Sequence, residues 1–176
     1  MVKKIIKYPN PSLRKATSLV ALPADDFVFE HIRDLNDTLK AEEDGLAIAS
    51  NQILEDGLRM FVVKDDKRLN EIFEGGAVFN PQWAPLALFN QVVTEREGCL
   101  SFPGMTFSIP RYNRVMVSFQ DVEGRKHEKE VEGIVARMVQ HECDHLDGKL
   151  FVETLPKKTQ IDIRNIVIRK KKEGKW

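Results

Sequence analysis

Hydrophobic residues recur at helical spacing in two stretches of the chain. Residues 24–43 carry apolar side chains three to five positions apart behind two acidic residues, which predicts an amphipathic helix. Its apolar positions are Phe27, Ile32, Leu35 and Leu39. Residues 133–146 predict a second helix, which Gly148 is placed to end. A third stretch after Pro156 mixes isoleucines with charges and fits a helix or, because isoleucine is β-branched, a strand.

Short apolar or alternating runs predict strands between these helices. They cover residues 59–64, 71–80, 86–94, 114–121 and 126–132, and small residues at 45–52 predict a loop. The turn at residues 122–125 makes the last two strands a hairpin. Because the strands form a block ahead of the main helix, the sequence predicts an α+β fold. Mixed or antiparallel strands would pack around the central helix 133–146, with an N-terminal and a C-terminal helix beside them.

Length and charge limit the classes of protein that this chain can represent. Its 176 residues suit one domain, expected to span residues 1–176 with 156–176 as an extension ending in a basic tail. Equal numbers of acidic and basic residues leave no general field for nucleic acid, so no sequence-specific nucleic acid partner is expected. No stretch approaches the ~20 apolar residues of a membrane span, and the start resembles no signal peptide. We therefore expect a cytoplasmic protein with no membrane association.

The sharpest chemical signal is the segment His141-Glu142-Cys143-Asp144-His145 on the second helix. Because each helical residue turns by about 100°, residues four apart are separated by about 40°, and the two histidines point the same way. Two neutral imidazoles so placed can bind one metal ion, and the adjacent glutamate can accept a proton from a water molecule there. The alternative is an ordinary helix with two histidines and a solvated glutamate.

A catalytic metal needs a third protein ligand and an open position. The candidates of suitable type are Cys99, Cys143, Asp144, His31 and His127. Cys143 lies about 200° around the helix from His141 and is expected to pack in the core. Asp144 is better suited to supporting a ligand, and the two other histidines are expected at the surface. This leaves Cys99, in a loop after Gly98, with an inert buried thiol as the alternative.

A helix of this kind first suggests a zinc peptidase. In one branch a third histidine lies three residues after a glycine, but Phe151 stands at that distance from Gly148. In another branch a downstream glutamate completes the site, but Glu153 is close to the helix and Glu173 lies in a charged tail. A small zinc peptidase with an unusual third ligand remains an alternative.

Three segments resemble the motifs of the peptide deformylases, which are G-x-G-x-A-A-x-Q, E-G-C-L-S and Q-H-E-x-D-H in that order. Residues 97–101 and 140–145 match the second and third motifs in full. Residues 45–52 match the first with two departures, Ala47 and Ser50. The turn at residues 8–14 also resembles the family's N-terminal signature, so the resemblance extends from about residue 8 to 155. The intact E-G-C-L-S motif is that of the type I members.

The resemblance implies a metal-dependent hydrolase that removes the N-formyl group from the N-terminal formyl-methionine of newly synthesised proteins. It implies three metal ligands, Cys99, His141 and His145. It also implies three catalytic groups: Glu142 as the proton acceptor, and the Gln52 amide and Leu100 N–H as donors to the oxyanion.

The substrate groove that the resemblance implies is lined by Gly45, Leu46, Ala47, Gly98, Ile134 and Met138. Ile134 and Met138 lie within about 60° of His141 on the helix, and an ordinary core role is their alternative. The side chain of Arg137 is expected to cover part of the pocket wall. The methyl group of Ala47 restricts backbone freedom, so we expect a changed fit of the substrate at this loop.

The ligand types and the resemblance differ in the metal ion they favour. A Cys-His-His set with a water molecule suits zinc, whereas the resemblance implies Fe²⁺, replaceable by Zn²⁺, Ni²⁺ or Co²⁺. The expected partners are N-formylmethionyl peptides of nascent chains. Residues 169–175 are expected to contact the ribosome transiently, with a solvated tail as the alternative. A non-catalytic relative with a structural metal is the other class kept open.

Overall fold

The computed structural model describes residues 1–86 and 91–176. Its helices within these ranges are α1 (Asp26–Lys40), α2 (Lys67–Ile72), α3 (Gly133–Leu146) and α4 (Lys157–Lys172). Its strands are β1 (Ala47–Ala49), β2 (Met60–Val63), β3 (Ala77–Pro85), β4 (Val92–Gly98), β5 (Thr106–Tyr112), β6 (Arg114–Gln120) and β7 (Lys126–Glu132). Short 3-10 turns span Pro11–Arg14, Ser50–Gln52 and Phe151–Thr154.

The strands form two antiparallel sheets, and α3 packs against both. The larger sheet has the order β1-β2-β3-β6-β7, and the smaller consists of β4 and β5. Helix α3 contacts strands of both sheets and the Ser50–Gln52 turn. The predicted α+β fold with a central helix is confirmed, and the third amphipathic stretch is a helix, α4.

The two faces of the large sheet are covered by different helices. Successive side chains of a strand point to opposite faces. In β2, Phe61 and Val63 belong to the core that packs on α3, whereas Met60 and Val62 belong to the core that packs on α1. Burial on both faces explains why this strand is a continuous apolar run.

Helix α1 lies within the predicted range 24–43, but its buried face is rotated from the predicted one. Asp25 caps its start by accepting the Val28 N–H at 2.9 Å. Leu35 and Leu39 are buried as expected, but Phe27 is 57% exposed and Val28 packs in its place. The next buried position on this face is His31, so its predicted surface location is wrong.

The prediction of a strand over residues 71–80 is wrong in its first half. Asp66 accepts the N–H groups of Arg68 and Leu69 and starts the helix α2. The strand begins at Ala77, after two glycines with positive φ, and runs through Pro81 to Pro85. It accommodates Pro81 because a register irregularity lies between Phe79 and Gln82.

The small sheet was the least predictable part of the fold. The predicted strand 86–94 lies partly outside the described residues, at 87–90; Leu86 is not in a strand, and β4 begins at Val92. Its partner β5 was not predicted; the sequence indicated only a loop, at Phe102-Pro103-Gly104 just ahead of it. Residues 45–52, predicted as a loop, contain the short strand β1 and a 3-10 turn. Among the described helices, none has the length and apolar character needed to cross a membrane.

Candidate metal centre

Three side chains from two parts of the chain converge beside α3. His141 and His145 lie one turn apart on one face of the helix, with ring centroids 4.9 Å apart. Cys99 follows the last residue of β4, and its Sγ lies 3.2 Å from His145 Nε2. The potential ligand atoms of the three residues all lie within 4.8 Å of one another. Cys99, the residue expected to be the third metal ligand, therefore lies beside the two histidines, whereas Cys143 is buried in the core.

The ring nitrogens are arranged as a metal site requires. His141 Nδ1 lies 2.6 Å from Glu97 Oε1, and since a carboxylate only accepts, the ring donates there and leaves Nε2 for the site. His145 Nε2 faces Cys99, while its buried Nδ1 has no hydrogen-bond partner among the described residues. One thiolate and two imidazoles are the donor set of a catalytic zinc or a similar divalent ion. The three residues therefore fit a divalent metal.

Burial and hydrogen bonding act differently on the two histidines. Burial lowers the pKa of His145 well below its ordinary value, so this ring is neutral near pH 7. Burial acts in the same direction on His141, but hydrogen bonds to Cys99 and Glu97 outweigh it and raise its pKa well above the ordinary value. Metal binding at His141 would therefore release a proton.

Glu97 is the centre of a buried ionic network behind His141. Arg111 donates to both of its carboxylate oxygens, at 3.2 Å and 2.8 Å, and Arg137 donates to Oε2 at 3.1 Å. Arg111 also pairs with Asp144, the residue expected to support the ligands. Burial alone would raise the pKa of Glu97, but the hydrogen bonds from His141 and Arg111 hold it well below its usual range. Glu97 thus stays ionised and fixes the His141 ring.

Arg137 joins α3 to the small sheet rather than only covering the pocket wall. Its guanidinium donates to the backbone carbonyls of Ile109 and Val93 as well as to Glu97. Those carbonyls belong to β5 and β4, so one side chain ties both strands to the helix. The position of Cys99, at the end of β4, depends on this attachment.

Glu142 points its carboxylate into the same region without a protein partner for one oxygen. The side chain is 4% exposed, and Oε2 is buried with no hydrogen bond among the described residues. Burial raises the pKa of Glu142 to about 7, with opposing effects from His141 and Glu97. A divalent cation at the adjacent ligands would lower this pKa again. A carboxylate in this position can take up and release a proton near neutral pH.

The Gln52 side chain is oriented at both ends of its amide. Its Oε1 accepts the Ala49 N–H at 2.9 Å, which turns the NH₂ group toward the site. Nε2 then lies 3.1 Å from Ser101 Oγ and 3.8 Å from Cys99 Sγ. Leu100 follows Cys99 directly in the chain and lines the same cavity as Gln52. Both expected oxyanion donors therefore lie near the three candidate ligands.

A cavity of about 790 Å³ opens in front of these residues. Its walls include every predicted groove residue, namely Gly45, Leu46, Ala47, Gly98, Ile134 and Met138. Leu46 and Ile134 are 41% and 47% exposed, whereas Met138 is buried. A Cβ on Gly45 would come within 2.7 Å of Leu39 Cδ1, so a larger residue here would displace the end of the Leu39 side chain. The cavity is wide enough for a peptide end, and apolar groups flank its entrance.

Ala47 lies on the edge strand β1, with its backbone directed into this cavity. Lys64 N–H donates to the Leu46 carbonyl, while Val63 N–H donates to Gly76 instead of β1. In the antiparallel register Ala47 is opposite Val63, so its N–H and carbonyl point away from β2. Its methyl group belongs to the core packed on α3, and its φ is not positive. The extra methyl group therefore does not strain the backbone at this position.

Sequence reasoning missed several supporting residues. Glu97 lies in the E-G-C-L-S motif, which was the signal that could have identified it. Arg111 lies in β5, the strand that was not predicted. His31 is 7% exposed and hydrogen-bonded to Ser50, and His127 is partly buried beside Asp121, at 2.9 Å. Neither histidine belongs to the candidate metal group.

Comparison with known proteins agrees with this site. Residues 2–160 match the family model described as polypeptide deformylase. Peptide deformylase 1 of Prochlorococcus marinus is 37% identical over 168 residues, covering 88% of this chain and 81% of the relative. The peptide deformylase of Endomicrobium trichonymphae is 33% identical over 174 residues, covering 98% of each chain. The crystal structure of peptide deformylase from Ehrlichia chaffeensis in complex with actinonin has a TM-score of 0.82 at 29% identity, again covering 98% of each chain. The chain therefore belongs to the polypeptide deformylase family.

Proposed function

We propose that Cys99, His141 and His145 hold the divalent metal of a deformylase, with Glu142, Gln52 and Leu100 as its catalytic groups. The reaction of the family is the hydrolytic removal of the N-formyl group from nascent peptides, and this chain is an enzyme of that family. The observation that carries the assignment of residues is the convergence of one sulfur and two imidazoles beside a buried carboxylate. When bound, the ion would supply a Lewis acid that lowers the pKa of a water molecule toward neutrality.

Glu142 moves the proton in this proposal. Its unpartnered Oε2 accepts the proton of the attacking water and then gives it to the amine that leaves from the formyl carbon. The carboxylate can return the proton because it is shielded from bulk water. Glu97 keeps the His141 ring in one orientation throughout, since it is ionised and held by two arginines.

Gln52 and Leu100 stabilise the oxyanion that forms when water attacks the formyl carbon. The Gln52 amide is fixed by Ala49, so its NH₂ group requires little reorganisation. One such donor is typically worth about 3 kcal/mol in the transition state. The Leu100 N–H is the second donor, from the loop that also holds Cys99.

The peptide would lie as an added strand along the outward edge of β1. The Ala47 N–H and carbonyl would pair with its backbone, and Gly98 would border its other side. The methionine side chain would contact Leu46, Ile134 and Met138, with Gly45 keeping that wall open. Because the Ala47 methyl group packs in the core, we propose a groove that accepts formyl-methionyl peptides despite the departure from the family motif.

We propose Fe²⁺ as the physiological ion and the cytoplasm as the location. Zn²⁺, Ni²⁺ and Co²⁺ suit the same mixed sulfur and nitrogen ligands and would replace it. The relative from Ehrlichia chaffeensis was solved in complex with actinonin, and we expect actinonin to inhibit formate release by this chain. The metal ligands and the catalytic residues would belong to one domain spanning residues 1–176, with residues 156–176 as its extension.

The basic end of α4 would make a transient contact with the ribosome. Arg169, Lys170, Lys171 and Lys172 form the last turn of the helix. The variant R169Q/K170Q/K171Q/K172Q is expected to lose co-sedimentation with ribosomes and to keep its rate of formate release on a short peptide. Unchanged co-sedimentation would reduce these residues to a solvated helix end.

The variant Glu142→Gln tests the assignment of the catalytic groups. It removes the proton acceptor but no proposed ligand, so metal content should stay at the wild-type level while kcat falls by about 10²- to 10⁴-fold. Metal content is measured by elemental analysis and kcat by formate release from a formyl-methionyl tripeptide. Loss of the metal in this variant would make Glu142 a ligand and reject the proposed arrangement.

A further inference from the structure

Ser50 departs from the family motif, and its hydroxyl is buried among defined partners. The residue is 0% exposed. Its Oγ accepts the Leu58 N–H at 2.9 Å and lies 2.8 Å from His31 Nε2. An alanine at this position would leave the Leu58 N–H and the His31 nitrogen without these partners. The departure at Ser50 is therefore matched by a histidine on another element, α1.

The Ser50 hydroxyl can hold Leu58 and His31 at the same time. Its Oγ accepts the Leu58 N–H and keeps a proton and a second lone pair, so it can bond to His31 Nε2 in either tautomer of a neutral ring. Burial lowers the pKa of His31, with Asp34 raising it and Lys3 lowering it. The Phe27 ring lies parallel to the imidazole, with centroids 6.5 Å apart. His31 is thus a buried imidazole on α1 that is hydrogen-bonded to Ser50.

The Ser50–Gln52 turn is fixed by side chains that reach three different elements. Ser50 reaches α1 through His31. Asn51 Nδ2 donates to the His145 carbonyl on α3 at 2.6 Å. Gln52 reaches the loop after β4 through Ser101, at 3.1 Å. Each side chain of the turn is therefore bonded to another element, and Ser50 is the one residue of the three whose side-chain partners, His31 and Leu58, lie outside the motifs.

We propose that His31, acting through Ser50, is a positioning residue that sets the orientation of the Gln52 amide. The proposal rests on the proposed role of Gln52 as an oxyanion donor. Loss of the Ser50–His31 bond removes the link between the start of the turn and α1, while Asn51 and Gln52 keep their side-chain bonds. The Gln52 NH₂ group is then less well directed at the oxyanion. Because this negative charge forms only as the reaction proceeds, the loss affects the transition state and not the binding of substrate.

The test compares Ser50→Ala, His31→Leu and the double variant with a matched control on the same helix. The control is Thr38→Val, since the Thr38 hydroxyl is equally buried and bonded but ties α1 to residue 3 and to its own backbone. All the chains are loaded with Ni²⁺, and kcat and KM are measured by formate release per bound metal. The side-chain amide signal of Gln52 is recorded by ¹⁵N NMR on the metal-free protein and on protein loaded with Zn²⁺, which is diamagnetic.

Ser50→Ala and His31→Leu should each lower kcat about tenfold with KM unchanged. The loss should be smaller than the 10²- to 10³-fold loss that follows complete removal of an oxyanion donor, because Gln52 itself remains. The double variant should lose no more than Ser50→Ala alone, because that change already removes the bond to His31 together with the bond to Leu58. The Gln52 amide signal should shift in all three, with or without metal. His31→Gln, whose side-chain amide can either donate to or accept from the Ser50 hydroxyl, should restore kcat to near the wild-type value.

Thr38→Val should lower the melting temperature but leave kcat and the Gln52 signal unchanged. If Ser50→Ala behaves like this control, the linkage is only structural and the proposal is wrong. Gln52→Ala separates this proposal from the one on which it rests. If Gln52→Ala lowers kcat while Ser50→Ala does not, the positioning role of His31 is wrong and the role of Gln52 stands. If Gln52→Ala leaves kcat unchanged, the proposed role of Gln52 as an oxyanion donor is wrong.

Discussion

Cys99 and Cys143 occupy different environments, although both lie at or beside α3. Cys99 is half-buried, and its sulfur faces His145 at 3.2 Å. Cys143 is 2% exposed among apolar side chains, and burial raises its pKa to about 12. A thiol with that pKa stays protonated at neutral pH and is a poor metal ligand. The surroundings, rather than the residue type, separate the candidate ligand from the core residue.

Serine substitutions of the two cysteines should therefore have different effects. Cys99→Ser should lose most of its metal after dialysis against a weak chelator, with a small change in unfolding free energy of the metal-free chain. Cys143→Ser should keep its metal and lose about 1–3 kcal/mol of stability, because a hydroxyl replaces a thiol in an apolar core. Elemental analysis and urea unfolding measure the two effects. A metal-free Cys143→Ser protein that still carries Cys99 would reverse the choice of ligand.

The proposed thiolate ligand Cys99 also leads to a prediction about how the bound metal ion responds to oxygen. With Fe²⁺ bound, exposure to air should oxidise the iron site and the thiolate, and activity should decline during storage. With Ni²⁺ bound, the activity should persist under the same conditions. Activity is followed over time, and mass spectrometry of the peptide containing Cys99 reports its oxidation. Equal rates of decay for the two forms would contradict the proposal that iron is the oxygen-sensitive physiological ion.

At the scale of elements, regular periodicity was the reliable signal. The bounds of α3 were predicted to the residue, because its apolar positions repeat and Gly148 follows. The spacing of the two histidines was therefore enough to assign them to one face of this helix. His31 was misplaced because its charged neighbours on this helix indicated a surface position. Val28, His31 and Leu35 share the buried face, and their spacing was available in the sequence. β5 contains Pro110, and a strand tolerates proline where it lies at the edge of a sheet. Both strands of a two-stranded sheet are edges, which the sequence alone does not reveal.

The β6–β7 hairpin carries a prediction about acid stability. Asp121 accepts hydrogen bonds from Arg125 and His127, at 2.7 Å and 2.9 Å. Although burial would raise the pKa of Asp121, these bonds hold it well below its usual range. A depressed native pKa gives stability that is present above the unfolded-state pKa and lost as pH falls through the native value.

Asp121→Asn should therefore be less stable than the wild type at pH 7, with a gap that narrows as the pH falls below about 4. Urea unfolding of both chains at several pH values measures the gap. Glu128→Gln removes an exposed acid from the same hairpin and serves as the control. A gap that is independent of pH would show that the Asp121 charge contributes nothing to folding.

At the scale of the whole molecule, the site exists because two sheets meet at one helix. β4 supplies Glu97 and, at its end, Cys99, while the edge of the large sheet supplies Gln52 and the backbone of Ala47. Arg137 and Arg111 connect the small sheet to α3 through Glu97. The motifs, and the placement of the candidate ligands His141 and His145 on one helix face, could be predicted from the sequence because each depends on local spacing. The ionic network and the Ser50–His31 contact could not, since they join residues far apart in the chain whose proximity only the tertiary fold determines.

We propose that this assembly removes formyl groups at a groove that tolerates Ala47. The most direct test is the rate of formate release from a formyl-methionyl tripeptide by anaerobically purified, iron-loaded protein, with the same peptide lacking the formyl group as a blank for background formate. We predict multiple turnovers, with release abolished in Glu142→Gln. An absence of turnover at full metal occupancy would contradict this account and would indicate a binding relative with a structural metal.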